Sequence, residues 1–302
     1  MKKTKQKHQS PELNVQKKRI FFAITVALPF VLLIGSELLL RWFNYGPDLS
    51  LFTQHEIRGQ KYYLMNPEVK SRYFGTLNFA PTTSPEYFLA SKPAGTYRIF
   101  CLGGSTTVGY PYWYNGSFSS YLRDRLKAAF PQRNLEIINL GMTATNSFTV
   151  LDMARELVAC QPDLIIVYDG HNEFYGALGV ASQQTVGSSR IAAQLYLRMV
   201  HVRTFQFLRD WIQTILGFFS SPDRPRSRST MMETLARNRY VSFGSSLYES
   251  AFSAFKENLE DLKAICREED IPLLIGTQVS NLRDRPPFIS NNSLALLPTQ
   301  KA

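Results

Sequence analysis

The sequence predicts an α/β fold: a parallel sheet covered by helices on both faces, with an N-terminal membrane-spanning helix and a helical insert. Three observations lead there. Short apolar segments alternate with amphipathic ones from residue 96 onward. The first three apolar segments each run into a polar loop that carries glycine. A long, almost uncharged apolar run stands near the N-terminus. A chain of 302 residues has room for one sizeable α/β domain with additions. Its hydrophobic content of 44% is that of a folded protein.

The first 19 residues form a basic tail with seven Lys or Arg against one Glu, so most of the net charge of +10 sits there. Residues 20–40, IFFAITVALPFVLLIGSELLL, hold no charge before Glu37. As a helix they span about 30 Å, the hydrocarbon thickness of a bilayer. Lys17, Lys18 and Arg19 precede the run, while Arg41, Trp42 and Tyr45 follow it. The larger positive cluster lies before the span, which puts the N-terminus in the cytoplasm and the main domain outside. A cleaved signal peptide is the competing reading, against which stand the length of the run and the lack of an Ala-x-Ala site after it. The charge distribution and the absence of basic-aromatic or zinc-finger spacing argue against a nucleic-acid partner. Cys101, Cys160 and Cys266 form no Cys-x-x-Cys pair, so neither a metal nor a redox cofactor is expected.

Residues 41–95 are rich in Tyr, Phe, Pro and Asn with weak periodicity, and read as an extended lead-in to a domain over 96–302. The strand YRIFCL (97–102) precedes a helix over 117–130 with Phe118, Leu122, Leu126 and Phe130 on one face. The strand LEIINL precedes a helix that Asn146 or Ser147 caps, and the strand DLIIVYDG follows. Downstream, a long helix over 246–270 carries a stripe of Leu247, Phe252, Phe255, Leu259, Leu262 and Ile265, and leads into a fourth strand, IPLLIGTQV. Between them lies an insert at about 185–235, of which 190–219 is helical by pattern. It reads as a cap over the sheet or, alternatively, as a membrane-surface element. SPDRPRSRST after it reads as a basic loop.

In a parallel sheet the ligand site lies beyond the carboxyl ends of the strands. Three polar loops fall there: GGSTTVG, GMTATNS and GHNEFYG. A serine nucleophile needs a tight turn, oxyanion donors and a base. Ser105 follows Gly103 and Gly104 at the first strand end. The N–H groups of Ser105 and Gly141 and the side-chain amide of Asn172 are the candidate donors. Alone, Ser105 is equally an ordinary strand-to-helix turn residue, Gly141 reads as a turn glycine and Asn172 as a loop residue bonding its own backbone; their joint occurrence at consecutive strand ends is the signal.

With GGST, NLGMTATNS and GHNE at those ends, the chain from about Tyr97 to Asp284 resembles the SGNH, or GDSL-type, hydrolase family. The resemblance implies a three-layer α/β/α fold of flavodoxin type and esterase or acyl-hydrolase chemistry. It implies Ser105 as nucleophile, with Ser105, Gly141 and Asn172 forming the oxyanion hole. Gly104, Thr106, His171 and Glu173 would line the site. The substrate would be ester-bearing or acylated, with carbohydrate esters among the candidates. Gly104 stands where the family has Asp, and Glu173 where it has Asp. The larger departure is the base. The family's C-terminal Asp-x-x-His has no counterpart, because the four histidines are His8, His55, His171 and His201. His171 adjoins Asn172, and neighbouring side chains on an extended loop point apart. It therefore reads as a site-lining or a packed loop residue. The sheet is expected to be incomplete at the C-terminus, as in a truncated product. A non-catalytic binding module, or an acyltransferase using the same site, is the alternative.

Overall fold

The structure, a computed structural model, describes residues 14–75, 81, 83–182, 185, 187, 189–219, 241–281 and 283–284. Most of the basic tail, the SPDRPRSRST segment and residues 285–302 lie outside this set.

Helix α1, Val15–Trp42, is longer than the apolar run. Asn14 caps it by accepting from the N–H of Gln16, and none of its residues is buried. Residues 41–95 depart from the expected extended lead-in. They form a three-stranded antiparallel sheet of β1 (Phe52–Ile57), β2 (Gln60–Met65) and β3 (Tyr87–Leu89), with helix α2 (Lys70–Phe74) between β2 and β3. The weak periodicity has a local cause: β1 ends on four exposed residues and β2 begins with two before four less exposed ones, so alternation is lost. The Arg58–Gly59 turn between them has φ of +53° and +76°, which its glycine accommodates.

The main sheet is parallel, with strands β4 (Thr96–Gly103), β5 (Asn134–Asn139), β6 (Leu164–Tyr168) and β7 (Leu273–Ile275). Its order is β5-β4-β6-β7. Phe100 pairs with Ile138 on one side and Ile165 on the other. The period-two alternation of β4 divides the core. Ile99 and Cys101 pack with Ile137 and Ile166 under Phe118, Leu122 and Leu126 of α4 (Phe118–Ala129). Phe100 and Leu102 pack on the opposite face with α5 (Ser147–Leu157), through Leu151, Ala154 and Leu157. Three layers result, as the alternating pattern predicts. Phe130, expected on the packed face of α4, is instead its half-exposed C-cap.

The insert divides. Helix α6 (Arg190–Met199) joins the core through Ala193 and Leu197. Helix α7 (Arg203–Phe219) packs on the end of α1 rather than over the sheet. Helix α8 (Ser246–Glu268) buries Ala251, Ala254, Asn258, Leu262 and Cys266. The expected stripe holds at Leu259, Leu262 and Ile265, which pack on the core, but is displaced in the first turns, where Ala251 and Ala254 face the core and Leu247 and Phe252 are exposed. Phe252, Phe255 and Leu259 line a groove with Leu273 and Ile275 of β7, which is far shorter than the expected strand and half-exposed.

Candidate active site

The strand order puts a switch point between β4 and β6. The chain leaves β4 toward β5 on one side, and leaves β6 toward β7 on the other. A crevice opens at the carboxyl ends there, and doubly wound sheets bind ligands in such crevices. Both the Ser105 loop and the Asn172 loop arise at this point.

Ser105 begins the single-turn helix α3 (Ser105–Val108), with Gly104 at the N-cap. The turn before it requires glycine. Gly103 has φ of +149°, and a Cβ there would stand 2.1 Å from the Tyr168 carbonyl oxygen. The hydroxyl of Thr107 donates to that same oxygen at 2.9 Å, fixing α3 to the end of β6. Ser105 is half-buried and Thr106 exposed, so both face the crevice side of the turn rather than the core. A Cβ on Gly104 would lie 3.1 Å from Asn172 Nδ2, 3.4 Å from Asp169 Oδ1 and 3.6 Å from the Thr145 carbonyl oxygen. Asn172 Nδ2 donates to that Thr145 oxygen at 2.9 Å. The three strand-end loops therefore meet around Gly104.

Two expected site residues are placed otherwise. The Gly141 N–H donates to Asn139 Oδ1 at 2.9 Å, so it is already committed and does not serve an oxyanion in this conformation. Gly141 is needed for packing: a Cβ there would stand 2.5 Å from the Val108 nitrogen. Glu173 turns away from Ser105. Its carboxylate accepts from the Ser147 N–H at 2.8 Å and the Ser147 hydroxyl at 2.7 Å. It thereby caps α5, where a carboxylate also suits the helix dipole. Asn146 occupies the N-cap position but makes no capping bond. His171 is exposed and meets the Tyr168 ring edge-on at 5.6 Å between centroids, near the Val279 backbone. Burial lowers its pKa from 6.5, so the ring is neutral at pH 7. Among the described residues, no imidazole or carboxylate bonds the Ser105 hydroxyl.

Three residues went unnoticed in the sequence. Asn139 locks the base of the site: its Nδ2 donates to the Thr107 carbonyl and to the Ser119 hydroxyl, each at 2.8 Å. Ala144 has φ of +60°, a strained value for a residue with a side chain. Its carbonyl accepts from the Ala177 N–H, while its own N–H has no acceptor among the described residues. Asp169 is buried beside Gly104 and Gly170, and its Oδ2 has no hydrogen-bond partner among the described residues. A side chain on Gly104 would come into van der Waals contact with the Asp169 carboxyl and press closer on Asn172 Nδ2. The sequence signal was the Asp of YDG at the end of β6. Among the described residues, no group of three His, Cys, Asp or Glu is placed to hold a metal ion.

Burial raises Asp169 well above its ordinary 3.8, with the charge of Glu173 adding to the effect. Burial likewise raises Glu173 from 4.5 to about 7, against the bonds from Ser147. A carboxyl raised on folding binds more protons in the native state than in the unfolded one. Its stabilisation is full below pH 4.5 and is lost as pH rises through 7. Thermal stability in detergent should therefore fall between pH 5 and 7.5, and Glu173→Gln should flatten that slope. An unchanged slope in Glu173→Gln would assign the pH dependence to other groups.

No protein-family model and no curated protein sequence matches the chain. Solved structures with partial likeness do exist. The chain is similar to a two-domain esterase active on acetylated mannans, at 22% identity and a TM-score of 0.25, over 37% of this chain and 29% of that one. It therefore spans less than a third of that enzyme's length. It is similar to AlinE4, an SGNH-hydrolase family esterase, at 15% identity and a TM-score of 0.27, over 69% and 90% of the two chains. It is also similar to Axe2, an acetylxylan esterase from Geobacillus stearothermophilus, at 12% identity and a TM-score of 0.30, over 59% and 74%.

Proposed function

We propose that the chain is a membrane-anchored, extracytoplasmic serine esterase or acyl hydrolase domain with Ser105 as nucleophile. The observation that carries this reading is the convergence of three strand-end loops on Gly104, with Asn172 Nδ2 3.1 Å from its Cβ position. In this reading the Ser105 hydroxyl attacks an ester carbonyl. The developing oxyanion takes hydrogen bonds from the Ser105 N–H, the Asn172 amide and the Ala144 N–H, the last in place of Gly141. Asp169, its carboxyl raised by burial, packs against the Gly104 turn from below. An ester-bearing carbohydrate is the substrate class this reading favours, because Tyr110, Tyr112 and Trp113 stand exposed on the loop after α3. That loop is tied to the nucleophile residue, since the Tyr110 N–H donates to the Ser105 carbonyl at 3.0 Å. Covalent labelling by a serine-reactive phosphonate tests the reading, with Ser105→Ala as the control.

A second reading, a carbohydrate-binding site without catalysis, is favoured by the lack of a base on the Ser105 hydroxyl among the described residues. It predicts binding of acetylated xylo-oligosaccharides with no phosphonate labelling.

The anchor rests on α1, which is long and apolar enough to cross a bilayer and packs little of itself against the protein. The basic residues before it support a cytoplasmic N-terminus. In alkaline carbonate the full chain should stay with the membrane pellet and keep its N-terminus. Release with a shortened N-terminus would mark a cleaved signal sequence instead.

A further inference from the structure

A surface helix of a water-soluble domain turns its apolar stripe inward and its polar face outward. Helix α7 does the reverse. At 3.6 residues per turn, Gln206, Arg209 and Asp210 lie on one side and Leu208, Trp211, Ile212 and Ile215 on the other. The polar side faces the protein. Gln206 is buried and donates to the Val200 carbonyl at 2.8 Å, and Arg209 pairs with Asp210 at 3.1 Å and reaches the Ser71 carbonyl. The apolar side is open, with Trp211 57% and Ile212 50% exposed.

The place of α7 on α1 identifies what covers this face. Glu37 of α1 accepts from the N–H groups of Arg203 and Thr204 and from the Thr204 hydroxyl, at 2.8 to 3.1 Å, so it caps the first turn of α7. Ser36 bonds the Thr204 hydroxyl at 3.1 Å. Glu37 lies about 4.5 Å inside the end of the apolar run, at 1.5 Å per residue. The next turns of α7 stay at the end of α1: the Tyr45 ring meets Phe207 edge-on at 5.4 Å, and its hydroxyl donates to Asp210. An in-plane amphipathic helix sits about 5–10 Å into the headgroup boundary, the same depth. Trp42 and Phe43, exposed at the end of α1, suit that level.

We infer that α7 is an interfacial helix whose Leu208, Trp211, Ile212 and Ile215 enter the outer leaflet beside α1, so that the bilayer itself is the partner of this face. The inference rests on the reading of α1 as a membrane anchor. Its consequence is orientational. A single span alone leaves a domain free to pivot, whereas a second contact capped by Glu37 holds the domain at a set attitude to the membrane.

The chain has three tryptophans, Trp42, Trp113 and Trp211. Full-length variants that keep one each, with the others replaced by phenylalanine, would be reconstituted into phosphatidylcholine bilayers. Some bilayers would contain lipid brominated near the carbonyl end of the chain, others lipid brominated near its methyl end. The Trp211-only protein is expected to lose emission about twofold with the shallow label and less with the deep one. The Trp113-only protein should keep its emission, and thereby reports that the domain is folded and away from lipid. Quenching of Trp42 without quenching of Trp211 overturns the inference and leaves the anchor standing, with a second copy of the chain as the cover for α7. Quenching of neither overturns the anchor and the inference together.

Discussion

Ser105→Ala is expected to reduce phosphonate labelling to background, the largest effect on function that the site predicts. The methyl group has no lone pair to attack phosphorus, and among the described residues no other serine is presented at the β4/β6 switch point. Asn172→Ala should slow labelling by about 10²-fold, the usual cost of one oxyanion donor. The wild-type rate is itself expected to be low. Without a base the hydroxyl is a weak nucleophile, and loss of one triad member costs on the order of 10⁴ in rate. Added imidazole supplies a base in solution, so it should accelerate labelling of the wild type and leave Ser105→Ala inert. Equal labelling of wild type and Ser105→Ala would place the reactive serine elsewhere. If imidazole accelerates nothing and acetylated oligosaccharides bind, the non-catalytic reading replaces the esterase.

The parallel sheet and its three polar loops were legible because their signals are local. Four strands, the helices between them and the Gly103-Gly104-Ser105 turn follow from periodicity and glycine placement. Burial of both faces makes Ile99–Leu102 of β4 a continuous apolar run, which no solvent-facing strand would be. What was not legible depended on contacts between distant residues. The antiparallel sheet of residues 52–89 escaped because β1 runs exposed over its last four residues and β3 is only three residues long, so neither shows a clean alternation. The sequence marks Gly141 as a candidate oxyanion donor but does not reveal that the Asn139 side chain accepts its N–H. Glu173 was read as site-lining, but it caps α5 through Ser147, a residue 26 positions away. The expected stripe of α8 holds in its C-terminal half, where Leu259, Leu262 and Ile265 pack on the core; in the N-terminal half small residues at 251 and 254 face the core, and the aromatics are left over the β7 edge.

Arg98→Met is expected to be the most destabilising of the substitutions considered, at about 3 kcal/mol. Arg98 lies on β4 with its side chain fully buried. Its guanidinium pairs with Glu136 of β5 at 2.5 Å, and donates to the Cys160 carbonyl at 2.7 Å and to the Leu89 carbonyl at 2.8 Å. It also lies over the Phe88 ring, 4.7 Å from the centroid. One side chain thus joins the antiparallel sheet to the parallel one and satisfies three acceptors. Methionine fills much of the same volume but donates nothing, so two carbonyls and a mostly buried carboxylate lose their partner at once. Lys92 is the instructive contrast. It pairs with Asp163 at 2.5 Å nearer the surface, and Lys92→Met should cost less than about 1 kcal/mol. Adding Glu136→Leu to Arg98→Met should recover part of the loss, because the unpaired charge goes with it. Thermal denaturation of the four proteins in detergent reads the series. A small loss for Arg98→Met, comparable to that for Lys92→Met, would mean that apolar packing of Phe88 on Phe100 holds the two sheets together without the guanidinium.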